Sequence, residues 1–171
     1  MFRKSCLICN STKLEEIIDL GMHPFADTFV AKDKLYLAEK IYPLVVQLCI
    51  ECSNIQLKCE TSPIDRYQHN EYSYTSSNSK YSMNYWTQYA DDVIIPFDKC
   101  NKLKILEIGS NDGYLLDQFK KKGHFVLGVD ASPIMVNISK QKGINTKLSI
   151  FNQSVAKEIY NEYGKFDLII A

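Results

Sequence analysis

The chain has 171 residues, 46% hydrophobic and 23% charged, a composition that excludes disordered and fibrous classes. Basic and acidic residues balance at 20 each, so no electrostatic footprint for nucleic acid is present and no nucleic-acid partner is expected. The opening MFRKSCLICNST lacks an apolar h-region, and no run approaches the roughly 18 apolar residues of a membrane span, which predicts a cytoplasmic protein without a membrane partner.

Residues 1–62 hold five of the six cysteines. Cys6-Leu-Ile-Cys9 and Cys49-Ile-Glu-Cys52 are two CxxC knuckles. Each lets two thiolates face one ion from a tight turn, and together they complete an all-thiolate tetrahedron. In a reducing compartment this pattern predicts zinc rather than disulfides, on Cys6, Cys9, Cys49 and Cys52. A closed shell leaves no open coordination position, so the metal is expected to be structural. The 39 residues between the knuckles must fold as a sizeable insertion, with YPLVVQLC as a strand. Cys59 and Cys100 lack partners at ligand spacing and read as buried free thiols. His23 and His69 read as hydrogen-bonded structural residues, with replacement of a ligand as the alternative.

Residues 63–100 form a Tyr-rich loop and helical bridge. Tyr81, Tyr85, Trp86, Tyr89, Ala90, Val93 and Ile94 fall at helical spacing and predict a helix that packs an aromatic face on a sheet. YSYTSS before it is polar, aromatic and aperiodic. Two readings fit it equally, a loop laid over a site with a Tyr hydroxyl aimed at substrate, or an ordinary solvated loop.

From residue 101 to 171 strands and helices alternate in the α/β manner. LKILEIG, HFVLGVD, NTKLSIF and KFDLIIA read as strands, and DGYLLDQFKKKG, SPIMVNISKQKG and QSVAKEIYNEYG as helices, the second capped by Ser132. Short links imply right-handed crossovers and a parallel sheet. A complete doubly wound sheet has further strands beyond a fourth, so this stretch is expected to be the first part of a Rossmann-like domain.

The turn LEIGSNDG follows the first strand. Its glycines, Gly109 and Gly113, are spaced GxxxG rather than GxGxxG, with Asn111 and Asp112 where a pyrophosphate would need an uncharged, close backbone. That disfavours NAD. Acidic groups suit a ligand with a cationic amino-acid tail and a sulfonium, which points to S-adenosylmethionine. Glu107, Gly109, Gly113 and Asp130 are the expected cofactor residues, with Asp130 accepting from both ribose hydroxyls.

Taken together, CLIC, DLGMHPFADTF, YPLVVQLCIEC with Gln56-Leu57, YSYTSSNS, LEIGSNDGYLL, VLGVDAS and KFDLIIA resemble the sugar C-methyltransferases that act on nucleotide-linked 4-keto-deoxyhexoses. The resemblance implies a zinc-binding domain, a domain for S-adenosylmethionine and a C-terminal domain that helps hold the nucleotide sugar. It implies zinc on the four knuckle cysteines, and it matches Tyr74 to the tyrosine near the reacting sugar, with Tyr72 as its neighbour. Asp27 stands where such proteins often carry Asn and takes no role. The implied chemistry is removal of a proton beside the ketone, then attack of the enolate carbon on the sulfonium methyl. The base, a His paired with Glu, is expected downstream of Ala171, so these residues alone are expected to be catalytically silent. The alternatives are a non-catalytic zinc- and cofactor-binding module, or a methyltransferase of another acceptor class.

Overall fold

The computed structural model describes residues 2–26, 28–69, 72–97 and 102–171. Asp27 and Cys100 therefore lie outside the described residues, as does the side chain of His69. The chain divides into two compact units, Met1–Arg66 and Tyr67–Ala171.

The first unit is built on a three-stranded antiparallel sheet, in order β1 (Leu14–Pro24), β2 (Ile41–Cys49), β3 (Ile55–Leu57). β2 contains the strand expected at YPLVVQLC, and from Val45 to Cys49 it alternates buried and half-buried positions. β1 is a strand through its pairing with β2 and not through its own pattern, for nearly all of it is exposed. Its register slips between Glu16 and Ile18 and again between Asp19 and Met22, irregularities that break the two-residue alternation. At one end of the hairpin Leu14 pairs with Cys49, and at the other Pro24 pairs with Ile41.

The second unit is an α/β domain with a four-stranded parallel sheet. Its elements are α1 (Lys80–Val93), β4 (Lys104–Ile108), α2 (Tyr114–Lys121), β5 (Phe125–Asp130), α3 (Pro133–Gln141), β6 (Thr146–Leu148), α4 (Gln153–Tyr163) and β7 (Leu168–Ile170). The strands lie in the order β6-β5-β4-β7. Ile105 and Val126 join one core with Leu115, Leu116, Phe119 and Ala90, while Leu106, Leu127 and Val129 join another with Val155 and Ile159. Adjacent residues of a strand thus feed opposite faces, and helices cover both. Ser79, Ser132 and Asn152 cap α1, α3 and α4, each accepting from the backbone N–H three residues on.

Two expectations need correction. β6 and β7 are three residues each, shorter than NTKLSIF and KFDLIIA suggest. In α1 the buried stripe is Ala90 with Trp86, Tyr89, Val93 and Ile94 packed beside it. Tyr81 and Tyr85 are exposed, Tyr81 to 83%. At 100° per residue these two fall roughly a quarter-turn or more from the centre of the stripe.

Candidate functional site

The two knuckles are built alike. Cys6 donates its N–H to the Ser11 carbonyl at 2.8 Å, and the Asn10 N–H returns to the Cys6 carbonyl at 3.1 Å. Cys49 donates to Asn54 at 2.8 Å, and Ser53 returns to Cys49 at 2.8 Å. Asn10 and Ser53, each just past the second thiol, have φ of 59° and 60°. This left-handed residue turns the chain away and leaves both thiols facing inward.

All four sulfurs lie within 4.8 Å of one another, with Cys6–Cys52 and Cys9–Cys49 each at 3.6 Å. A tetrahedron with Zn–S bonds of about 2.3 Å has edges of about 3.8 Å, so the geometry fits zinc. The Ile8 N–H points at the Cys6 sulfur at 3.4 Å and the Asn54 amide at 3.7 Å, outer contacts that favour a thiolate. The Cys9 backbone N–H, outweighing burial, brings the Cys6 thiol down to about 6. The Asn54 backbone N–H alone would lower Cys52, but the Cys9 thiol, burial and the other two thiols push it up to about 12. Four adjacent thiols can all be thiolates only around a cation. Buried Gln56 ties the knuckles together, accepting from the Leu7 N–H at 2.9 Å and the Asn54 amide at 3.2 Å, and donating to Ser5 at 3.1 Å. His23 is exposed, its ring against the Leu20 carbonyl and outside the sulfur cluster. Cys59 is half-buried rather than buried, a correction; it bridges to Phe2 at the sheet margin.

In the second unit the turn 109–113 leaves the carboxyl end of the central strand pair. Glu107 lies on β4 between Gly128 of β5 and Ile170 of β7. Its Oε2 is buried and has no hydrogen-bond partner, and the same holds for Ser110 Oγ. Burial first, then the charges of Asp112 and Asp130, push the Glu107 carboxyl up to about 8. An acid in this position lacks a cation or a donor. Asp130, ending β5, accepts the Asn111 N–H on Oδ2 and the Ser132 N–H on Oδ1, each at 2.8 Å. Each oxygen keeps a second lone pair, so two further hydroxyl donors can be accommodated.

The two glycines differ. Gly109 has φ of 75° and open space where a Cβ would stand, so a ligand can approach its backbone. Gly113 has φ of 74°, and a Cβ there would lie 2.4 Å from Ser139 Oγ of α3. Gly113 thus lets α2 begin close against α3. Asp112 departs from the expectation of an acid turned to a cationic ligand. It is 1% exposed. It accepts from the Tyr114 N–H at 3.3 Å, from Lys142 Nζ at 2.9 Å and from the Ser77 hydroxyl.

The YSYTSS loop lies against this turn. Asn111 donates its amide to the Tyr74 carbonyl at 3.0 Å and accepts the Ser76 N–H at 2.9 Å. Tyr74 is partly exposed, and its ring stands 6.5 Å from that of Tyr72. Local sequence carried no sign of the Asn111 clamp, since its partners lie more than thirty residues away.

Residues 6–67 match the family model described as "Putative zinc binding domain", and residues 106–171 match the one described as "Methyltransferase domain". The two matches lie on either side of residues 68–105, and each covers less than half of the chain. Over 164 residues, 96% of its length, it is 23% identical to the C-methyltransferase NovU of Streptomyces niveus. Over 78 residues, 45% of its length, it is 36% identical to the ubiquinone biosynthesis O-methyltransferase of Bartonella tribocorum. It spans 39% of the first relative and 30% of the second. Among solved structures, CalS10 with S-adenosylmethionine bound, an amino pentose methyltransferase from Micromonospora echinaspora, aligns at 21% identity with a TM-score of 0.33. That alignment covers 42% of this chain and 34% of CalS10, too partial a likeness to bear on function. No helix among the described residues is long and apolar enough to cross a membrane.

Proposed function

We propose that this chain supplies the zinc and cofactor domains of a C-methyltransferase that uses S-adenosylmethionine and acts beside the keto group of a nucleotide-linked 4-keto-deoxy sugar. The observation that carries the cofactor is Glu107 Oε2, buried and without a hydrogen-bond partner near the carboxyl end of β4. A cationic ligand tail satisfies it, whereas the phosphates of a dinucleotide would not. Gly109 gives the ligand backbone access, and Asp130 offers its free lone pairs to ribose hydroxyls. Gly113 serves the site by keeping α2 close to α3. When bound, the cofactor supplies an electrophilic methyl group.

The keto-sugar acceptor rests on the motif resemblance together with the likeness to NovU across most of the chain. In this reading Tyr74 binds the acceptor and holds its reacting carbon in line, and the Asn111 clamp fixes the backbone of Tyr74. Cys6, Cys9, Cys49 and Cys52 hold one structural zinc. A second reading, methylation of a different acceptor, draws on the 36% identity to an O-methyltransferase over 78 residues.

Calorimetric titration with S-adenosylmethionine, S-adenosylhomocysteine and NADH tests the cofactor. Binding of the first two and not the third is expected, and a preference for NADH would sink the reading. For the acceptor, since these residues alone are expected to be silent, a longer protein carrying them together with a downstream His–Glu base is incubated with cofactor bearing a labelled methyl and a nucleotide-linked 4-keto-6-deoxy sugar. Label on a sugar carbon supports the proposal, and label on oxygen refutes it. Tyr74→Phe is expected to lower transfer at least tenfold while cofactor affinity stays within about threefold.

A further inference from the structure

Asn111 stands at a junction that the cofactor reading leaves unused. Its backbone has φ of 51°, a left-handed conformation that Asn tolerates better than most residues. Four hydrogen bonds hold it there. Its N–H donates to Asp130 Oδ2 at 2.8 Å, and its Oδ1 accepts from the N–H groups of Asp112 and Ser76, each at 2.9 Å. Its Nδ2 donates to the Tyr74 carbonyl at 3.0 Å. One side of this residue is therefore fixed to the acid at the end of β5, and the other to the backbone of residues 74–76. Beside it, the Ser77 hydroxyl bonds Asp112, which Lys142 also holds. Both ends of the 74–77 loop segment are thus bonded to side chains of the 109–113 turn.

We infer that Asn111 is a positioning residue that couples occupancy of the cofactor site to the placement of the Tyr74 loop. The inference rests on the cofactor reading given above. Asp130 receives the ligand's hydroxyls on the oxygens that anchor Asn111 and Ser132, so a ligand that immobilises Asp130 immobilises the Asn111 backbone. The side-chain amide transmits that order to Tyr74 and Ser76, because a planar group with three bonds cannot turn without breaking them. A loop that a bound cofactor holds more firmly would favour entry of the acceptor second.

The test uses Asn111→Gly, which keeps the positive φ and the backbone bond to Asp130 but deletes both bonds to the loop. Binding of S-adenosylhomocysteine is measured by calorimetry, and backbone hydrogen exchange of residues 72–78 is followed with and without it. In the unaltered chain the ligand is expected to slow exchange of the Ser76 amide roughly tenfold or more. In Asn111→Gly, ligand affinity stays within about threefold while that protection disappears. Asn111→Asp keeps the acceptor for the Ser76 N–H and is expected to recover part of it. Undiminished protection in Asn111→Gly overturns the coupling, as does a bound ligand that leaves the loop of the unaltered chain unprotected. Absence of binding by the unaltered chain defeats the cofactor reading itself, a result that the calorimetry reports separately.

Discussion

The Glu107 carboxyl, held near 8 by burial and by Asp112 and Asp130, is a neutral acid at physiological pH in the ligand-free chain. Below its ordinary value of 4.5 both the folded and the unfolded chain carry this proton. Between 4.5 and about 8 only the folded chain keeps it, so this group's contribution to stability falls as pH rises through that window and is level above it. Glu107→Gln is therefore expected to raise stability at pH 8, by roughly 1–3 kcal/mol in urea denaturation. The same substitution should weaken S-adenosylmethionine at least tenfold, since the amide cannot balance a cation. In the unaltered chain calorimetric affinity should climb from pH 6 and level off near 8, and a flat profile would count against Glu107 as the cation's partner. That Glu107 and Asp130 lie near the carboxyl ends of neighbouring strands was legible because strand pattern and glycine spacing locate those ends from local sequence alone. Asn111 was not, since its loop bonds join residues distant in the chain. Asp112 misled for a related reason: composition gives its charge, but only the packing of Ser77 and Lys142 around it shows that the charge is already balanced.

At the level of elements, the two turn glycines separate strain from crowding. Gly109→Ala meets open space, so its stability cost is backbone strain of about 1 kcal/mol, while its Cβ intrudes where the ligand is expected. Gly113→Ala adds a collision with Ser139 Oγ and should destabilise by roughly 2–4 kcal/mol through separation of α2 from α3. Denaturation midpoints together with cofactor affinity read the two apart: Gly109→Ala loses more binding than stability, Gly113→Ala the reverse. Equal losses of stability would contradict this assignment. The helices and strands of the α/β unit were readable because periodicity, caps and glycine stops agree along 101–171. The inclusion of Tyr81 and Tyr85 in a buried face overextended a sound stripe, since aromatic character was read where angular position decides. β1 left no local signature, because its pairing partner is a remote segment and its bulges erase alternation.

Across the molecule, the zinc cluster and the four α-helices fall in different compact units. Cys52→Ser is expected to abolish retention of one zinc per chain, read by elemental mass spectrometry, and to loosen residues 1–66. Helical ellipticity, which comes mainly from α1 to α4 in Tyr67–Ala171, should change little. Loss of the helical signal in step with zinc would show that the units do not fold apart. The division into metal and α/β regions was legible from cysteine usage and from alternation of elements, whereas the hairpin that unites the knuckles depended on long-range register. That hairpin brings the knuckles together at its Leu14–Cys49 end, with the β1–β2 connection at the opposite end. The metal therefore acts as a clasp at the root of a tongue. Because closing a flexible loop becomes only about 0.6 kcal/mol harder with each doubling of its length, the tip of this tongue is open ground for evolution: segments can be inserted, exchanged or trimmed there while the clasp keeps its shape.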